Sequence, residues 1–489
     1  MSKISFIFGV LILPLALTSI QAQPSPPDPG TAIVSGVVVL KGQPLCGVFI
    51  NLVDQRDRQF NRHHTTTDEN GRFRIMSVAA GKYWLSAQAP GHILPGSSYD
   101  ITGKSGWPLD VVDGQKIENI VLEIKRGSVI TGRITDSRGA PMTGEVIQLR
   151  KFDKSGRLYF TISGHYFCHS CVTDDRGVYR ANGLPEGRYL VSVGYDVNNQ
   201  VFYPGVTRES EAKVIEVSEE SEVTDIDITL PNRKPGPILP ERLRGPNGEE
   251  ITNPDVIREI LTRAGVIPKP RTDGITVRLV TKDGTDLPKA KVELFPVTED
   301  GRRTSNDSRS NITDEDGSFK FREYEPKSES GLYSIIISDA RGYVPTPTPI
   351  NDGQNPIYRF RGDNITIPMI KGGVITGKIL NATGEPVVGA YISVMMIRDA
   401  QEDPISANIV SRPIPTDDRG VYRFHGLYPG TYVVFTKSNI VGPLYCSDAK
   451  YKTYHPSSTR VTATEVTVRS GVETGGVDIR YREDRSPIK

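Results

Sequence analysis

A loop motif that recurs four times constrains this chain more than any other feature of its sequence. The motif is Thr-Asp-x-x-Gly-x-aromatic, and it occupies residues 67–73, 173–179, 313–319 and 416–422. A Gly-x-Tyr follows each copy, at 81–83, 187–189, 331–333 and 430–432. Since internal repeats indicate repeated structural units, we predict that the chain is a string of related modules.

Every repeat also opens and closes on a segment with strand character. The opening segments are 33–39, 129–134, 275–280 and 374–379, and they are rich in β-branched residues. A glycine-containing turn follows each one, with the form Gly-x-Pro in the first, second and fourth repeats. The closing segments alternate in polarity, as in Ile226, Ile228 and Leu230. These patterns favour strands with one buried face, so we predict an all-β fold of four β-sandwich modules.

The charge balance of the chain disfavours some classes of partner. Its 489 residues are 37% hydrophobic, which is enough for several folded domains. The 59 basic and 58 acidic side chains leave a net charge of +1. Nucleic-acid-binding proteins usually carry a clear basic excess, so we predict no nucleic acid partner. The balance gives no support for electrostatic membrane attachment either.

The first residues have the pattern of a signal peptide. Lys3 provides a positive charge, 4–17 is a short apolar run, and Ala22 offers a small residue for cleavage before Gln23. The apolar run is short for a membrane span and prolines follow it, so a cleaved signal is favoured over an uncleaved anchor. No later stretch reaches the length of a membrane helix. We therefore predict a secreted or periplasmic protein, or one at the cell surface, with no membrane span after cleavage.

The four repeats fall into two alternating types. The octapeptide Thr-Asp-Asp-Arg-Gly-Val-Tyr-Arg is identical at 173–180 and 416–423, whereas the first and third copies share Thr-Asp-Glu and a phenylalanine. A duplicated pair of modules is the simplest origin, with a proline-rich joint between the pairs. The predicted segments are a signal peptide at 1–22, modules at 31–125, 126–231, 273–370 and 371–483, and a linker at 232–272.

The succession of opening strand, Gly-x-Pro turn, Thr-Asp-x-x-Gly-x-Phe/Tyr and Gly-x-Tyr resembles the carboxypeptidase regulatory-like module. The resemblance covers nearly all of the chain outside the leader and linker, and the third repeat departs from it most, with Val277 in place of the strand glycine. It implies a tandem array of four prealbumin/immunoglobulin-like β-sandwich modules, similar to B-type repeats of bacterial surface adhesins. Such modules are usually accessories. No histidine begins a His-x-x-Glu pair, so the zinc site of the carboxypeptidase itself has no visible ligands.

The aspartates of the repeated loops have two interpretations. Only Asp314-Glu315-Asp316-Gly317 approaches the spacing of a calcium loop, and it lacks the later glutamate ligand. The favoured interpretation is a tight turn, in which the aspartate bonds its own backbone, the glycine adopts a positive φ and the aromatic side chain enters the core. The tyrosine of each Gly-x-Tyr is predicted to be a core or corner residue with a bonded hydroxyl.

Two cysteines lie three residues apart in the second repeat. Cys168 and Cys171 could form a local disulfide, remain free or pair elsewhere, or bind a metal or exchange thiols. Export favours the disulfide. Cys46 occupies the position of Val388 in the fourth repeat and is predicted to be a small buried apolar residue.

The loop before the motif differs in length between repeats. It runs 20 residues from Gly47 to Thr67, but 29 from Gly144 to Thr173 and 27 from Gly389 to Thr416. Extra loop is tolerated on a stable sandwich and often carries binding sites, although it can equally be a longer hairpin. The candidate binding residues are Arg150, Lys151, Tyr159, His165, Tyr166, Arg398 and Asp399.

The sequence therefore favours a non-enzymatic, exported modular protein that serves as an envelope or extracellular scaffold or adhesion protein. Its predicted partner is a protein or glycan at the cell surface. The first alternative is carbohydrate binding, which the presence of only two tryptophans mildly disfavours. The second alternative is an undetected hydrolase. We predict no catalytic residues, no metal site and no cofactor.

Limited proteolysis tests the duplicated-pair hypothesis. Exposed linkers with few crossing contacts are preferred cleavage sites, so the first cut should fall between Lys234 and Arg271. Mass spectrometry of the earliest fragments gives the site. A first cut inside a module, with both halves still joined, would contradict the hypothesis.

Overall fold

The computed structural model describes most of each repeat. The described residues are 31–56, 62–99, 105–153, 156, 158–163, 171–194, 200–231, 243–244, 250–251, 274–287, 290–297, 309–314, 317–322, 332–346, 358–360, 364–409, 413–436, 453–457 and 460–480. Within these ranges the chain forms β-strands and two short 3-10 turns, Glu209–Glu211 and Arg460–Thr462. The predicted all-β fold class is confirmed.

The first repeat builds two five-stranded sheets. Its strands are β1 (Ala32–Leu40), β2 (Gln43–Pro44), β3 (Phe49–Asp54), β4 (Arg62–Thr66), β5 (Arg72–Val78), β6 (Gly81–Gln88), β7 (His92–Ile93), β8 (Ser98–Tyr99), β9 (Ser105–Val111) and β10 (Lys116–Arg126). One sheet has the order β2-β1-β10-β7, with β5 also on β1, and the other β4-β3-β6-β9-β8. β1 and β10 are parallel, so the closing strand lies beside the opening strand.

The second repeat has the same plan with a divided closing strand. Its strands are β11 (Ser128–Asp136), β12 (Ile147–Phe152), β13 (Leu158–Ser163), β14 (Val178–Leu184), β15 (Gly187–Val193), β16 (Val201–Phe202), β17 (Ile215–Val217), β18 (Glu222–Val223) and β19 (Ile228–Leu230). β18 and β19 both pair in parallel with β11, next to β14. The other sheet has the order β13-β12-β15-β16, with β17 on β15.

The predicted linker is described at only four residues. They form β20 (Leu243–Arg244) and β21 (Glu250–Ile251), which pair antiparallel. The boundaries of the linker and of the modules stay predictions.

The third and fourth repeats return to the first and second plans respectively. The third contains β22 (Gly274–Thr281), β23 (Lys291–Val297), β24 (Arg309–Ile312), β25 (Ser318–Arg322), β26 (Leu332–Asp339), β27 (Tyr343–Pro345), β28 (Tyr358–Phe360) and β29 (Asn364–Lys371). The fourth contains β30 (Gly373–Leu380), β31 (Tyr391–Arg398), β32 (Pro404–Ile409), β33 (Ile414–Pro415), β34 (Val421–Leu427), β35 (Gly430–Thr436), β36 (Val466–Val468), β37 (Glu473–Thr474) and β38 (Ile479–Arg480). As in the second repeat, the closing strand of the fourth is divided, into β37 and β38 on β30.

Each repeat encloses its own hydrophobic cluster. The clusters are centred on residues such as Ile50, Leu149, Leu294 and Val394, all fully buried. The tyrosines of the Gly-x-Tyr steps occupy corner positions as predicted. Tyr83, Tyr189 and Tyr432 are buried, and each hydroxyl donates to the carbonyl four residues earlier, at 2.9, 2.5 and 2.8 Å. The side chain of Tyr333 lies outside the described residues.

The repeated motif is the crossover from one sheet to the other, and its threonine ties the crossover to the core. In the fourth repeat the Thr416 hydroxyl donates to the Val387 carbonyl at 2.6 Å and accepts the Ala390 N–H at 2.9 Å. The other three repeats have the same two bonds, made by Thr67, Thr173 and Thr313. The motif therefore clamps the loop that follows the opening turn.

The aspartate and glycine of the motif form the predicted tight turn. Asp417 Oδ1 accepts the N–H groups of Arg419 and Val421, both at 2.9 Å, and Asp68 and Asp174 make the same pair of bonds. Gly420 has a φ of 69°, and a Cβ there would lie 2.8 Å from the Ile379 carbonyl oxygen. Only glycine fits such a position without strain. The turn interpretation is confirmed for the first, second and fourth copies, whose aspartate carboxylates accept backbone N–H groups.

The strand glycine that the third repeat lacks has a packing reason. A Cβ at Gly132 would lie 2.1 Å from the Ile226 carbonyl oxygen, which also accepts the Tyr179 hydroxyl. In the third repeat Val277 pairs in an unbroken parallel ladder between β22 and β29, so its side chain has room. The first repeat also has a single closing strand, but its ladder with β1 shifts register between Val34 and Gly36, and a Cβ on Gly36 would lie 2.0 Å from the Ile120 carbonyl oxygen. The third repeat accommodates a valine because its ladder has no such shift.

Replacing Thr416 with valine should destabilise the fourth repeat by about 1–3 kcal/mol, because a buried N–H and a buried carbonyl lose their partner. Hydrogen exchange should show faster exchange at the Ala390 amide, and urea unfolding should shift to lower concentration. Thr467→Val, at an exposed position of β36, is the matched control and should change neither. Equal protection of Ala390 in both variants would contradict the clamp.

Candidate functional site

The candidate residue Arg150 is held within its own repeat. It lies on β12, where its guanidinium group bonds Glu209 at 2.5 Å and Gln200 at 3.2 Å and stacks 4.9 Å from the centre of the Phe202 ring. Lys151, the next residue on β12, places its ammonium group 5.8 Å from the Tyr189 ring centre. Burial lowers the pKa of Lys151. Both side chains stabilise the sheet to which they belong.

The remaining loop candidates are only partly described. The backbone of Tyr159 lies on β13, but His165, Tyr166 and Cys168 lie outside the described residues. Arg398 donates to both carboxylate oxygens of Glu465, at 2.7 Å for the shorter contacts, and Asp399 Oδ1 accepts two N–H groups of its own turn. Partner contact through these loops therefore stays a prediction.

Two of the cysteines are in disulfides. Cys171 is fully buried and disulfide-bonded, and Cys46 is disulfide-bonded as well. The prediction that Cys46 is merely a small apolar residue is therefore wrong. The predicted pairing of Cys168 with Cys171 stays a prediction, because Cys168 lies outside the described residues.

A reciprocal set of ion pairs joins the second repeat to the fourth. Arg180 donates through Nε and Nη2 to the two carboxylate oxygens of Asp418, at 2.6 and 3.0 Å. Arg423 donates through the same two nitrogens to Asp175, also at 2.6 and 3.0 Å. All four residues belong to the identical octapeptides 173–180 and 416–423, so each copy binds the other. This is an isologous contact, of the kind found across a two-fold axis, formed within one chain.

The interface charges are buried and fully engaged. Only 1% of the Asp418 side chain and 9% of the Arg180 side chain are exposed, and the values are 10% for Asp175 and 12% for Arg423. Arg180 also makes two bonds to Glu222, and Arg423 bonds Glu473 in the equivalent position. Arg126 adds a 2.7 Å contact to Asp418. Buried charges need this degree of pairing to offset their desolvation.

The first and third repeats extend the two-fold arrangement. Gly91, in a turn of the first repeat, packs against Val388 of the fourth so closely that a Cβ would lie 2.9 Å from the valine methyl group. Arg341, in the corresponding turn of the third repeat, donates to the sulfur of Met142 in the second at 3.0 Å and lies 3.8 Å from Asp136. Each half of the chain therefore reaches across to the other half.

The ion pairs keep both interface aspartates charged. Burial alone would raise the pKa of Asp418, but bonds from Arg180 and Arg126 lower it below the ordinary 3.8. Burial likewise opposes ionisation of Asp175, and Arg423 lowers the pKa of this carboxyl as well. A carboxyl with a lowered pKa stabilises the fold above its ordinary pKa, and that contribution is lost as the pH falls through the lowered value. The interface should therefore keep its strength at neutral pH and weaken progressively in acid, as the pH falls through the ordinary carboxyl range and below it.

The sequence reasoning missed the residues of this interface. The turn uses only the first aspartate of each octapeptide, Asp174 or Asp417. The second aspartate and the final arginine are also repeated although the turn does not need them, and this was the signal that could have found the interface. Among the described residues, no group of three or more His, Cys, Asp and Glu side chains could hold a metal ion.

A double-mutant cycle on Asp175 and Arg423 measures the interface. Arg423→Gln alone should destabilise the protein by about 3–5 kcal/mol, because it leaves a buried carboxylate with a weaker partner. The double variant with Asp175→Asn should lose less stability than the sum of the two single variants. The difference, the coupling energy, should be about 1–3 kcal/mol in urea unfolding followed by circular dichroism.

The matched control is the exposed pair Lys82–Asp110, whose side chains are 67% and 70% exposed within the first repeat. Its coupling energy should stay below about 1 kcal/mol. A coupling energy for Asp175 and Arg423 as small as this control would show that the interface does not form in solution.

Comparison with known proteins supports the resemblance for one part of the chain. Residues 33–106 match the carboxypeptidase regulatory-like domain. No curated protein matches the sequence.

Similar solved structures include two bacterial pilins and one further bacterial protein. They include the Streptococcal ancillary pilin, at 14% identity, with 73% of this chain and 100% of that chain covered and a TM-score of 0.21. The major pilin subunit BcpA of Bacillus cereus has 12% identity, the same coverage and a TM-score of 0.16. The Bacillus anthracis TIE protein has 13% identity, coverage of 92% and 74%, and a TM-score of 0.16. At these TM-scores the similarities carry no argument about function.

Proposed function

We propose that this chain is an exported, non-enzymatic scaffold or adhesion protein of the cell envelope or extracellular space, whose modules are held in one arrangement. The observation that carries the proposal is the reciprocal pair of buried contacts, Arg180 to Asp418 and Arg423 to Asp175. Tandem modules move relative to one another unless their interfaces are extensive and specific. The four buried, paired charges fix the orientation of the second repeat relative to the fourth. A fixed orientation suits a scaffold that holds its binding surfaces at constant distances.

The ionisable groups support a structural role over a catalytic one. Functional sites often show displaced pKa values, but structural ion-pair networks produce them too. Here burial raises the pKa of Tyr179, Tyr422 and Tyr432, and each of these hydroxyls donates to a backbone carbonyl. The interface carboxyl groups with lowered pKa values, such as Asp418 of the fourth repeat, are hydrogen-bonded to arginines of the opposite repeat. These partners account for the shifts without a reacting substrate.

The disulfides support export. Cys46 and Cys171 are both oxidised, and disulfides persist mainly in the periplasm and outside the cell. In the part of the chain that the structure describes, no helix is long and apolar enough to cross a membrane. The predicted signal peptide lies outside the described residues.

The tryptophans do not support a stacking platform for neutral sugars. Trp84 on β6 pairs with Pro108, and Trp107 on β9 pairs with Leu85, so the two indoles lie on opposite faces of their sheet. Trp107 packs against the hydrophobic cluster, and its Nε1 donates to the Pro95 carbonyl at 2.8 Å. The carbohydrate-binding alternative therefore receives no support from these two residues.

Small-angle X-ray scattering of the mature chain tests the fixed arrangement. The wild-type protein should scatter as one compact particle, and Asp175→Asn with Asp418→Asn should increase its radius of gyration because the modules separate. Asp110→Asn, on the exposed surface of the first repeat, is the matched control and should leave the profile unchanged. A wild-type profile typical of freely jointed modules, unaltered in the double variant, would contradict the scaffold proposal.

A further inference from the structure

The disulfide of Cys46 links the first repeat to another repeat of the chain. Cys46 is disulfide-bonded and lies in the loop after the opening turn of the first repeat. The chain has four cysteines, and the other three are Cys168, Cys171 and Cys446. None of these belongs to the first repeat, whose last strand ends at Arg126. Whichever cysteine of the chain is the partner, the bond is a covalent link between repeats.

Cys171 has a partner of its own nearby in the sequence. Its side chain is fully buried in the hydrophobic cluster of the second repeat, and its carbonyl oxygen accepts the Ile147 N–H at 2.8 Å. A cysteine enclosed in this way is most accessible to a neighbour from its own repeat. Cys168 is that neighbour, three residues earlier and outside the described residues. A bond between Cys168 and Cys171 leaves Cys446 as the partner for Cys46.

Cys46 lies at the end of the first repeat that contacts the fourth. β3 and β6 are antiparallel, and Phe49 at the start of β3 pairs with Gln88 at the end of β6. Three residues further along, this register brings Cys46 level with Gly91. Gly91 packs against Val388 of the fourth repeat. The sulfur of Cys46 therefore belongs to the part of the first repeat that is closest to the fourth.

In the fourth repeat, the segment that follows β35 begins and ends at the contact with the first repeat. A Cβ on Gly389 would lie 2.5 Å from carbon atoms of Pro90, so these two residues touch. β35 ends at Thr436, which pairs with Ile392, three residues beyond Gly389. The Thr436 N–H donates to the Thr453 carbonyl at 3.0 Å, so the chain that leaves β35 returns to the same place.

This segment is long enough for its cysteine to reach the first repeat. Cys446 comes 10 residues after Thr436 and 7 residues before Thr453, and it lies outside the described residues. Seven extended residues span up to about 25 Å. A disulfide needs the two Cα atoms to approach within about 7 Å. The position of both segment ends beside the first repeat meets this requirement.

The two-fold equivalent contact is held by a different kind of bond. In the third repeat, Arg341 donates to the sulfur of Met142 at 3.0 Å and lies 3.8 Å from Asp136 of the second repeat. Pro90 takes the place of Arg341 in the first repeat, and its ring offers no donor for bonds of this kind. Cys46 lies on the side where the arginine is missing, so a disulfide there would fix the contact instead.

We propose that Cys46 and Cys446 form a disulfide that tethers the first repeat to the fourth, and that Cys168 and Cys171 form the second pair. Each thiol loses one proton and one electron when the tether forms, and the disulfide of an extracytoplasmic thiol oxidoreductase accepts the two electrons. The tether joins residues 400 positions apart, and cross-links that close long loops restrict the unfolded chain most. It holds the two halves of the chain together whether or not the chain is a scaffold.

Peptide mapping of the purified, oxidised full chain tests the connectivity. Free thiols are blocked with N-ethylmaleimide, and digestion with pepsin in acid suppresses disulfide exchange because few thiolates form. Mass spectrometry without reduction should find the Cys46 peptide linked to the Cys446 peptide, and Cys168 linked to Cys171. A link from Cys46 to either of the other two cysteines, or an alkylated Cys46, would overturn the proposal.

Cleavage of the linker tests the tether itself. A specific protease site is placed in the predicted linker, 232–272, and the cleaved protein is run in denaturing electrophoresis. The wild-type halves should stay together without reductant and separate with it. Cys46→Ser with Cys446→Ser should release the halves without reductant, and this variant should unfold at a lower urea concentration than wild type. Halves that stay joined in this variant would contradict the tether.

The matched control removes the other pair of cysteines. Cys168→Ser with Cys171→Ser should leave the cleaved halves joined without reductant, because it keeps the tether. Release of the halves in this control, with a circular dichroism spectrum like that of wild type, would overturn the proposal. If replacement of the buried Cys171 prevents folding, the wild-type peptide map still decides the connectivity.

Discussion

The threonine clamp of the repeated motif is the interaction on which the rest of the structure depends. Thr173 and Thr416 each tie the crossover between sheets to the loop after the opening turn, by one donated and one accepted bond. The neighbouring aspartate then closes the turn, and the aromatic residue is delivered to the core. Because the second aspartate and the final arginine follow within the same eight residues, the clamp also determines where the interface charges lie.

Duplication of a clamped module explains the arrangement of the whole chain. Two identical octapeptides on opposite halves can satisfy each other reciprocally, as Arg180 with Asp418 and Arg423 with Asp175 do. The first and third repeats then pack on the far half through Gly91 and Arg341. The duplicated pairs are therefore interlocked, and a cut in the linker would leave these contacts between the halves in place.

Local patterns predicted the fold well because they act over a few residues. The Asp–Gly turn and the corner tyrosines depend on hydrogen bonds between residues no more than four positions apart, and the structure bears them out. The predicted binding residues of the long loops depend instead on contacts that are distant in the sequence. Arg150 and Arg398 were singled out for the length of their loops, yet the structure engages them with Glu209 and Glu465 on their own repeats. Cys46 was misjudged for the same reason, since a disulfide depends on spatial neighbours.

The sequence by itself determined the strands, the turns and the fourfold repetition, because alternation, glycine and the Thr-Asp motif impose local geometry. Only the tertiary structure decided what the charges of the motif do. Asp175 and Arg423 lie 248 residues apart, and Arg180 and Asp418 lie 238 apart. No local pattern links such positions. Side chains so distant acquire a role only when the packing of whole modules removes water between them.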